Sequence, residues 1–393
     1  MARTKNIYIS EDDMCTTQKL NLSRVQKWLI SGGYEMVDDP SAADKIICMT
    51  CNGWSLLEKR SYERIEEFKE SYKDKMIVMG CVVDAHPDKV KSIFHGPVVP
   101  TKSEEALSFS DIEKYFPDIP FPVKSIPAQS MFRRTEDYRD YNPRRSFINI
   151  AEGCAFNCSF CTHKPGLGKR RSRDVESILR QIKSDLDSRG IEILHLMGME
   201  TALWGTDIGH TYPELLELVI NFSEEYEIHV AQFQPHGLKM YGQQLVKLFS
   251  NKRVSDIQIP IQSTSDRIMK MMNRKNHAEV ISPFLKEIKR NNSRVILRTD
   301  VIVGWPTETE SERIASLNFA VEHFDEVAVY AIELSEDLPA WKYHKDAFSA
   351  EELKVIVETS RSYVENRNVT AHSGQQDDAS MARAEIKRKM LRG

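Results

Sequence analysis

A chain of 393 residues is long enough for two domains with separate cores. Its 41% hydrophobic and 28% charged residues are those of an ordinary globular protein, and no apolar run approaches membrane-spanning length. A net charge of −4 excludes a global attraction to nucleic acid, leaving only a local patch for such contact.

The start, Met1 to Lys5, leads into a strand-like stretch rather than the apolar segment of a signal peptide, so the protein is expected in the cytoplasm. Asn6–Ser10 reads as a strand. Leu20–Ile30 carries Leu22, Val25, Trp28 and Leu29 at helical spacing, stopped by Gly32 and Gly33. Lys45–Thr50 is a second strand, Ser55–Tyr72 an amphipathic helix and Lys75–Gly80 a third strand. This alternation predicts a doubly wound parallel sheet over residues 1–95.

Cys51 and Cys81 then fall just beyond the second and third strands, and Cys15 in the loop after the first. Open parallel sheets collect ligands along that edge. The three thiols are therefore expected to converge as a metal site. The plainer alternative is three small interior hydrophobes, which is the reading for Cys48 inside its strand.

Residues 96–145 read as a connector, because Pro97, Pro100, Pro117, Pro120, Pro122 and Pro127 break any long element. Arg133, Arg134, Arg139, Arg144 and Arg145 could touch an anionic partner, with a solvated linker as the plainer reading. Alternation resumes at Ser146. Strands are expected at Ser146–Ala151, Ile191–Met197, Glu227–Phe233, Asp256–Pro260, Arg294–Gly304 and Glu326–Ile332, with helices between them and a last helix at Glu351–Glu365. Six strand–helix units predict a partial (β/α)6 barrel over residues 146–366, with catalytic groups at the carboxyl ends of its strands. Residues 367–393 read as a polar tail, unstructured from Ser373 to Asp378 and ending in a short basic helix at Arg383–Arg392.

Seven cysteines, with none after Cys161, argue against a disulfide framework. Cys154, Cys158 and Cys161 form a C-x3-C-x2-C run directly after the first barrel strand. Three thiolates can hold three irons of a four-iron cube and leave the fourth without a protein ligand, whereas an electron-transfer cluster uses four cysteines. A zinc site completed by His163 is the local alternative.

Cys154-Ala-Phe-Asn-Cys158-Ser-Phe-Cys161 resembles the signature of radical S-adenosylmethionine enzymes. The chain resembles their methylthiotransferase branch, whose members modify transfer RNA adenosines or a ribosomal protein. The likeness extends through the basic run Gly168–Arg173, through Met197-Gly198-Met199-Glu200 with Leu203-Trp204-Gly205-Thr206-Asp207, and through Pro260–Asp266 with Met272-Asn273-Arg274. It continues through Arg298–Thr309 and includes Gly80-Cys81 near the start. Met14 and Gln18 depart from the family's usual Gly and Asn, and Met49-Thr50-Cys51 from its Asn-Thr-Cys.

The resemblance implies S-adenosylmethionine and two 4Fe-4S clusters, one on Cys154, Cys158 and Cys161 and an auxiliary one on Cys15, Cys51 and Cys81. The first would generate an adenosyl radical and the second would carry the sulfur. Phe160 would lie near the adenine, with Gly198, Glu200, Gln262, Ser263 and Arg298 toward the amino-acid and ribose ends. It also implies a reductant such as flavodoxin or ferredoxin; the chain is expected to act as a monomer, away from membranes. Residues 367–393 are too few for the family's RNA-binding TRAM barrel. The expected substrate is therefore a peptide or protein side chain, such as a ribosomally made natural-product precursor. A transfer RNA, an enzyme with an N-terminal cobalamin domain and a non-catalytic iron–sulfur protein remain as alternatives.

Overall fold

A computed structural model describes residues 5–10, 14–53, 55–102, 108–131 and 142–373. The readings of Arg133, Arg134, Arg139 and the tail after Ser373 lie outside these. The chain divides into two compact units, residues 1–135 with 152–154 and 162–171, and residues 136–151 and 155–161 with 172–393.

In the first unit the chain runs through β1 (Lys5–Ser10), α1 (Thr16–Ser31), β2 (Tyr34–Met36), β3 (Lys45–Thr50), α2 (Ser55–Tyr72), β4 (Met76–Gly80), α3 (Cys81–Ala85), α4 (Pro87–Ile93) and β5 (Val98–Pro100). All adjacent pairs are parallel, in the order β2-β1-β3-β4-β5. The chain leaves β1 for one neighbour and returns for the other, which makes β1 the switch point of a doubly wound sheet. Strands β3 and β4 are buried almost end to end, matching their unbroken apolar sequences. Helix α1 buries Leu22, Val25, Trp28 and Leu29 and starts four residues earlier than its apolar stripe suggests.

The connector expected over residues 96–145 packs against the first unit's core in its described first part. Val98–Pro100 extends the sheet, and Phe109, Ile112, Phe116, Ile119 and Val123 are buried in the same core as α1. Trp28 donates from Nε1 to the Phe121 carbonyl at 2.8 Å and packs edge-on against Phe116. The prolines break long elements as expected, but they do not prevent burial of the apolar residues between them.

The second unit's sheet carries β6 (Arg145–Glu152), β7 (Arg171–Ser172), β8 (Ile193–Gly198), β9 (Glu227–Val230), β10 (Val254–Gln258), β11 (Ile296–Val303), β12 (Glu326–Ala331) and β13 (Thr370–Ser373). Its order is β13-β12-β11-β10-β9-β8-β6-β7, parallel from β13 through β6. The six expected strands are all present. Strand β13 corrects the reading of a polar tail. It is polar in sequence, yet Ala371 is buried and His372 sits 3.4 Å from the Glu326 carboxylate, so pairing with β12 satisfies it as an edge strand.

The short helix α5 (His163–Leu167) belongs to the first unit, and the second unit's helices are α6 (Val175–Arg189), α7 (Tyr212–Phe222), α8 (Pro235–Phe249), α9 (Asp266–Met271), α10 (Ala278–Asn291), α11 (Glu310–His323) and α12 (Ala350–Glu365). Ser, Thr or Asp side chains cap α6, α11 and α12 where the sequence changes from loop to amphipathic repeat. Among the described residues no helix is long and apolar enough to cross a membrane.

Candidate functional site

Cys15 caps the start of α1, Cys51 follows β3, and Cys81 opens α3 directly after β4. Parallel strands place these positions along one sheet edge, and the thiols sense one another. Burial pushes the Cys15 thiol up to about 12, helped by Cys51. Cys81 is raised well above the ordinary thiol range by burial, then by Cys15 and Cys51. Cys51 and Cys81 are buried, whereas Cys15 keeps part of its surface open although surrounding protein desolvates its thiol. Cys48 faces the core, as expected.

The turn between β4 and α3 depends on Gly80. Its φ is +123°, and a Cβ there would collide with the Thr50 carbonyl on the neighbouring strand. Neutral donors surround the sulfurs. Gly53 N–H donates to Cys51 Sγ at 3.4 Å, and Thr101 Oγ1 to Cys81 Sγ at 3.6 Å.

The loop after Cys51 is tied to the segment following Cys161. Asn52 Nδ2 donates to the Thr162 carbonyl at 2.9 Å, and Thr162 Oγ1 donates to the Gly53 carbonyl at 2.8 Å. His86 Nε2 lies 3.1 Å from Asn52 Oδ1. A side chain at Gly53 would meet both Cys51 Sγ and His163 Nε2. Burial holds the His163 imidazole down at about 4.

Cys154, Cys158 and Cys161 occupy the loop after β6, all half-buried. The loop's first turn is fixed by Gly153, with φ +69° and no room for a Cβ beside the Lys169 carbonyl. Further along, residues 271–274 hold it. Ser159 N–H donates to the Met272 carbonyl at 3.0 Å, Ser159 Oγ to Met271 at 2.7 Å, and Asn273 Nδ2 to the Asn157 carbonyl at 2.7 Å. Arg274 reaches Cys158 Sγ from Nη1 at 3.7 Å. Phe160 packs edge-on to Trp305 in an apolar cluster with Met272 and Ile302.

The other expected contact residues have mixed fates. Gly198 ends β8 beside β6, where a Cβ would approach the Ala151 carbonyl to 3.1 Å. Glu200 is fully buried and accepts from Leu203 N–H at 2.6 Å, shaping the turn after β8. Gln262 follows β10 with φ +66°, uncommon for a non-glycine, and its buried Oε1 has no hydrogen-bond partner in the structure. The Gln234 Oε1 after β9 is likewise buried and unpaired. These are strand-end acceptors with capacity for a polar ligand. Ser263 and Arg298 already have protein partners. Ser263 Oγ lies 3.2 Å from Ser316 Oγ on α11, and Arg298 Nε donates to Asp256 at 2.7 Å within the sheet. Arg274 and Trp305 were not singled out from the sequence, although both lie inside motifs quoted above.

A Radical SAM superfamily model matches residues 148–320, and a model described as Uncharacterized protein family UPF0004 matches residues 14–99. The Ribosomal protein uS12 methylthiotransferase RimO of Clostridium botulinum is 28% identical over 323 residues, covering 80% of this chain and 72% of that protein. The chain belongs to the radical S-adenosylmethionine methylthiotransferase family. Another relative, the Probable threonylcarbamoyladenosine tRNA methylthiotransferase of Methanocaldococcus jannaschii, is 28% identical over 76% of this chain and 69% of its own length. In fold, the chain is similar to the radical S-adenosylmethionine methyltransferase TsrM of Kitasatospora setae, with TM-score 0.60 and 13% identity. That match covers 86% of this chain and 77% of the other.

The cofactors of this methylthiotransferase are S-adenosylmethionine and two 4Fe-4S clusters. The donor chemistry fits them. Thiolates crowded together repel one another, a bound metal's positive charge offsets that repulsion, and sulfur donors suit iron–sulfur chemistry. A cube spreads three thiolates over three irons, whereas the zinc alternative needs its ligands around one ion.

Proposed function

We propose that this methylthiotransferase inserts a methylthio group at an unactivated C–H carbon of a peptide or protein side chain. It would work in the cytoplasm as a monomer, with a flavodoxin- or ferredoxin-type electron donor. The observation that carries the sulfur-inserting half is the placement of Cys15, Cys51 and Cys81 after three adjacent parallel strands. A peptide substrate is supported by the relatives whose names specify ribosomal protein uS12.

When bound, S-adenosylmethionine and the two clusters would supply a radical that takes the hydrogen atom from the substrate C–H and a methylthio group for the carbon left behind. In this reading Cys154, Cys158 and Cys161 hold one cluster. Ser159 and Asn273 keep their loop from sagging, through bonds to and from residues 271–273. Gln262 and Gln234 offer acceptors to the polar ends of S-adenosylmethionine, Gly198 and Glu200 shape the rim of its site, and Phe160 covers its adenine. Cys15, Cys51 and Cys81 hold the second cluster in a setting from which burial excludes bulk water.

Anaerobic turnover with a peptide library and with bulk transfer RNA, followed by mass spectrometry for a methylthio mass gain, tests the reading. Gain on peptides alone is expected, with a natural-product precursor among the peptides to try. Gain on RNA alone would overturn it in favour of the second reading, a transfer RNA substrate, which the Methanocaldococcus relative supports.

A further inference from the structure

A cation meets the Cys158 sulfur directly, and the Lys164 ammonium reaches the Cys154 carbonyl in the same loop. Arg274 Nη1 donates to Cys158 Sγ at 3.7 Å, Nη2 to the Pro260 carbonyl at 3.2 Å, and its own N–H to the Met269 carbonyl at 2.8 Å. The backbone is thus tied at Met269, and the guanidinium is held by the Pro260 carbonyl and presents its positive charge to one sulfur. Arg274 and Cys158 are 116 residues apart in sequence, so the fold brings this charge to the thiol. The neighbouring bonds from Ser159 and Asn273 already pin the loop, and they end on neutral atoms. A purely mechanical tie would not need a charge.

We propose that Arg274 is a positioning residue that raises the reduction potential of the cluster held at Cys158, so that this cluster accepts the electron needed to cleave S-adenosylmethionine. This rests on the reading of Cys158 as a cluster ligand. Reduction adds one electron from a one-electron donor to the cluster and forms or breaks no covalent bond in the protein. The added negative charge is stabilised by a nearby cation more than the oxidised state is. Hydrogen bonds to cluster sulfurs and local charge are the protein's principal means of setting such potentials. The sulfurs of Cys51 and Cys81 receive neutral donors, from Gly53 N–H and Thr101. Removing Arg274 therefore shifts one cluster of the two.

The test is potentiometric titration of the reconstituted holoenzyme, followed by electron paramagnetic resonance with dithionite as reductant. In R274Q the reduced-to-oxidised ratio at a fixed potential is expected to fall about tenfold, or about 59 mV for a one-electron couple. R274K keeps the charge and should restore most of the shift. Equal potentials in wild type, R274Q and R274K would overturn the proposal, as would equal shifts in both variants. A measurement on unmutated protein guards against poor loading of R274Q. Protein labelled with 15N-arginine should show nitrogen coupling to the reduced cluster, and no coupling would overturn the proposal. Iron content of C158A separates the two levels. Undiminished iron there would mean that the ligand reading itself has failed, whereas lost iron with an unmoved potential in R274Q refutes Arg274 alone.

Discussion

The two cysteine trios reach the same donor set by opposite routes. Cys154, Cys158 and Cys161 lie within eight consecutive residues of one loop, fixed by a glycine turn and by bonds to residues 271–274. Cys15, Cys51 and Cys81 are spread over 67 positions and come to one sheet edge because three parallel strands run side by side. A local site survives small errors in the fold around it. A site assembled from strand ends depends on every turn that delivers a thiol, so the second trio should be the more fragile.

The largest contrast is chemical. C158A is expected to abolish 5′-deoxyadenosine formation, whereas C81A should leave that reaction running and abolish methylthio transfer. Chromatography of turnover mixtures reads both. Loss of 5′-deoxyadenosine in C81A would break the division of labour.

Backbone substitutions sharpen the difference in fragility. G80A forces a Cβ against the Thr50 carbonyl at φ +123° and should cost about 3 kcal/mol in urea unfolding. G33A is also at positive φ, +91°, but in open space, and should cost only about 1 kcal/mol. Equal losses would mean that the β4–α3 turn is not under the packing constraint described.

The thiols themselves differ in the metal-free protein. Burial raises the Cys15 pKa to about 12 against an ordinary 9.0, so less thiolate is present at any pH below that value. Alkylation of Cys15 at pH 8 should run roughly a thousandfold slower than that of an ordinary thiol and climb as pH approaches 12. Mass-spectrometric mapping of iodoacetamide adducts checks this, and early labelling of Cys15 would contradict it. The smallest effect is expected from T162V, which removes one bond to the Gly53 carbonyl and should cost about 1 kcal/mol with both clusters retained.

Much of this was legible in the sequence, for reasons that differ by element. The C-x3-C-x2-C run is local, so spacing alone announces it. The second trio could be read because strand–helix alternation implies where parallel strands end. Residues 98–126 were obscured by prolines, which mark breaks in regular structure but carry no information about burial of Phe109, Phe116 or Val123. Strand β13 was hidden because a polar edge strand has no apolar alternation to detect. Ser263 and Arg298 sit in motifs of the right kind, and their partners Ser316 and Asp256 are set by the fold and cannot be read from those motifs. Arg274 was invisible as a cluster neighbour because its contact with Cys158 exists only after folding.

Two independent trios are each expected to carry a cluster. Iron analysis with Mössbauer spectroscopy, on anaerobically reconstituted wild type and C15A/C51A/C81A, tests it most directly. About eight irons per chain are expected in the wild type and about four in the variant, all in cubane form. About four irons in both proteins would show that Cys15, Cys51 and Cys81 hold no cluster.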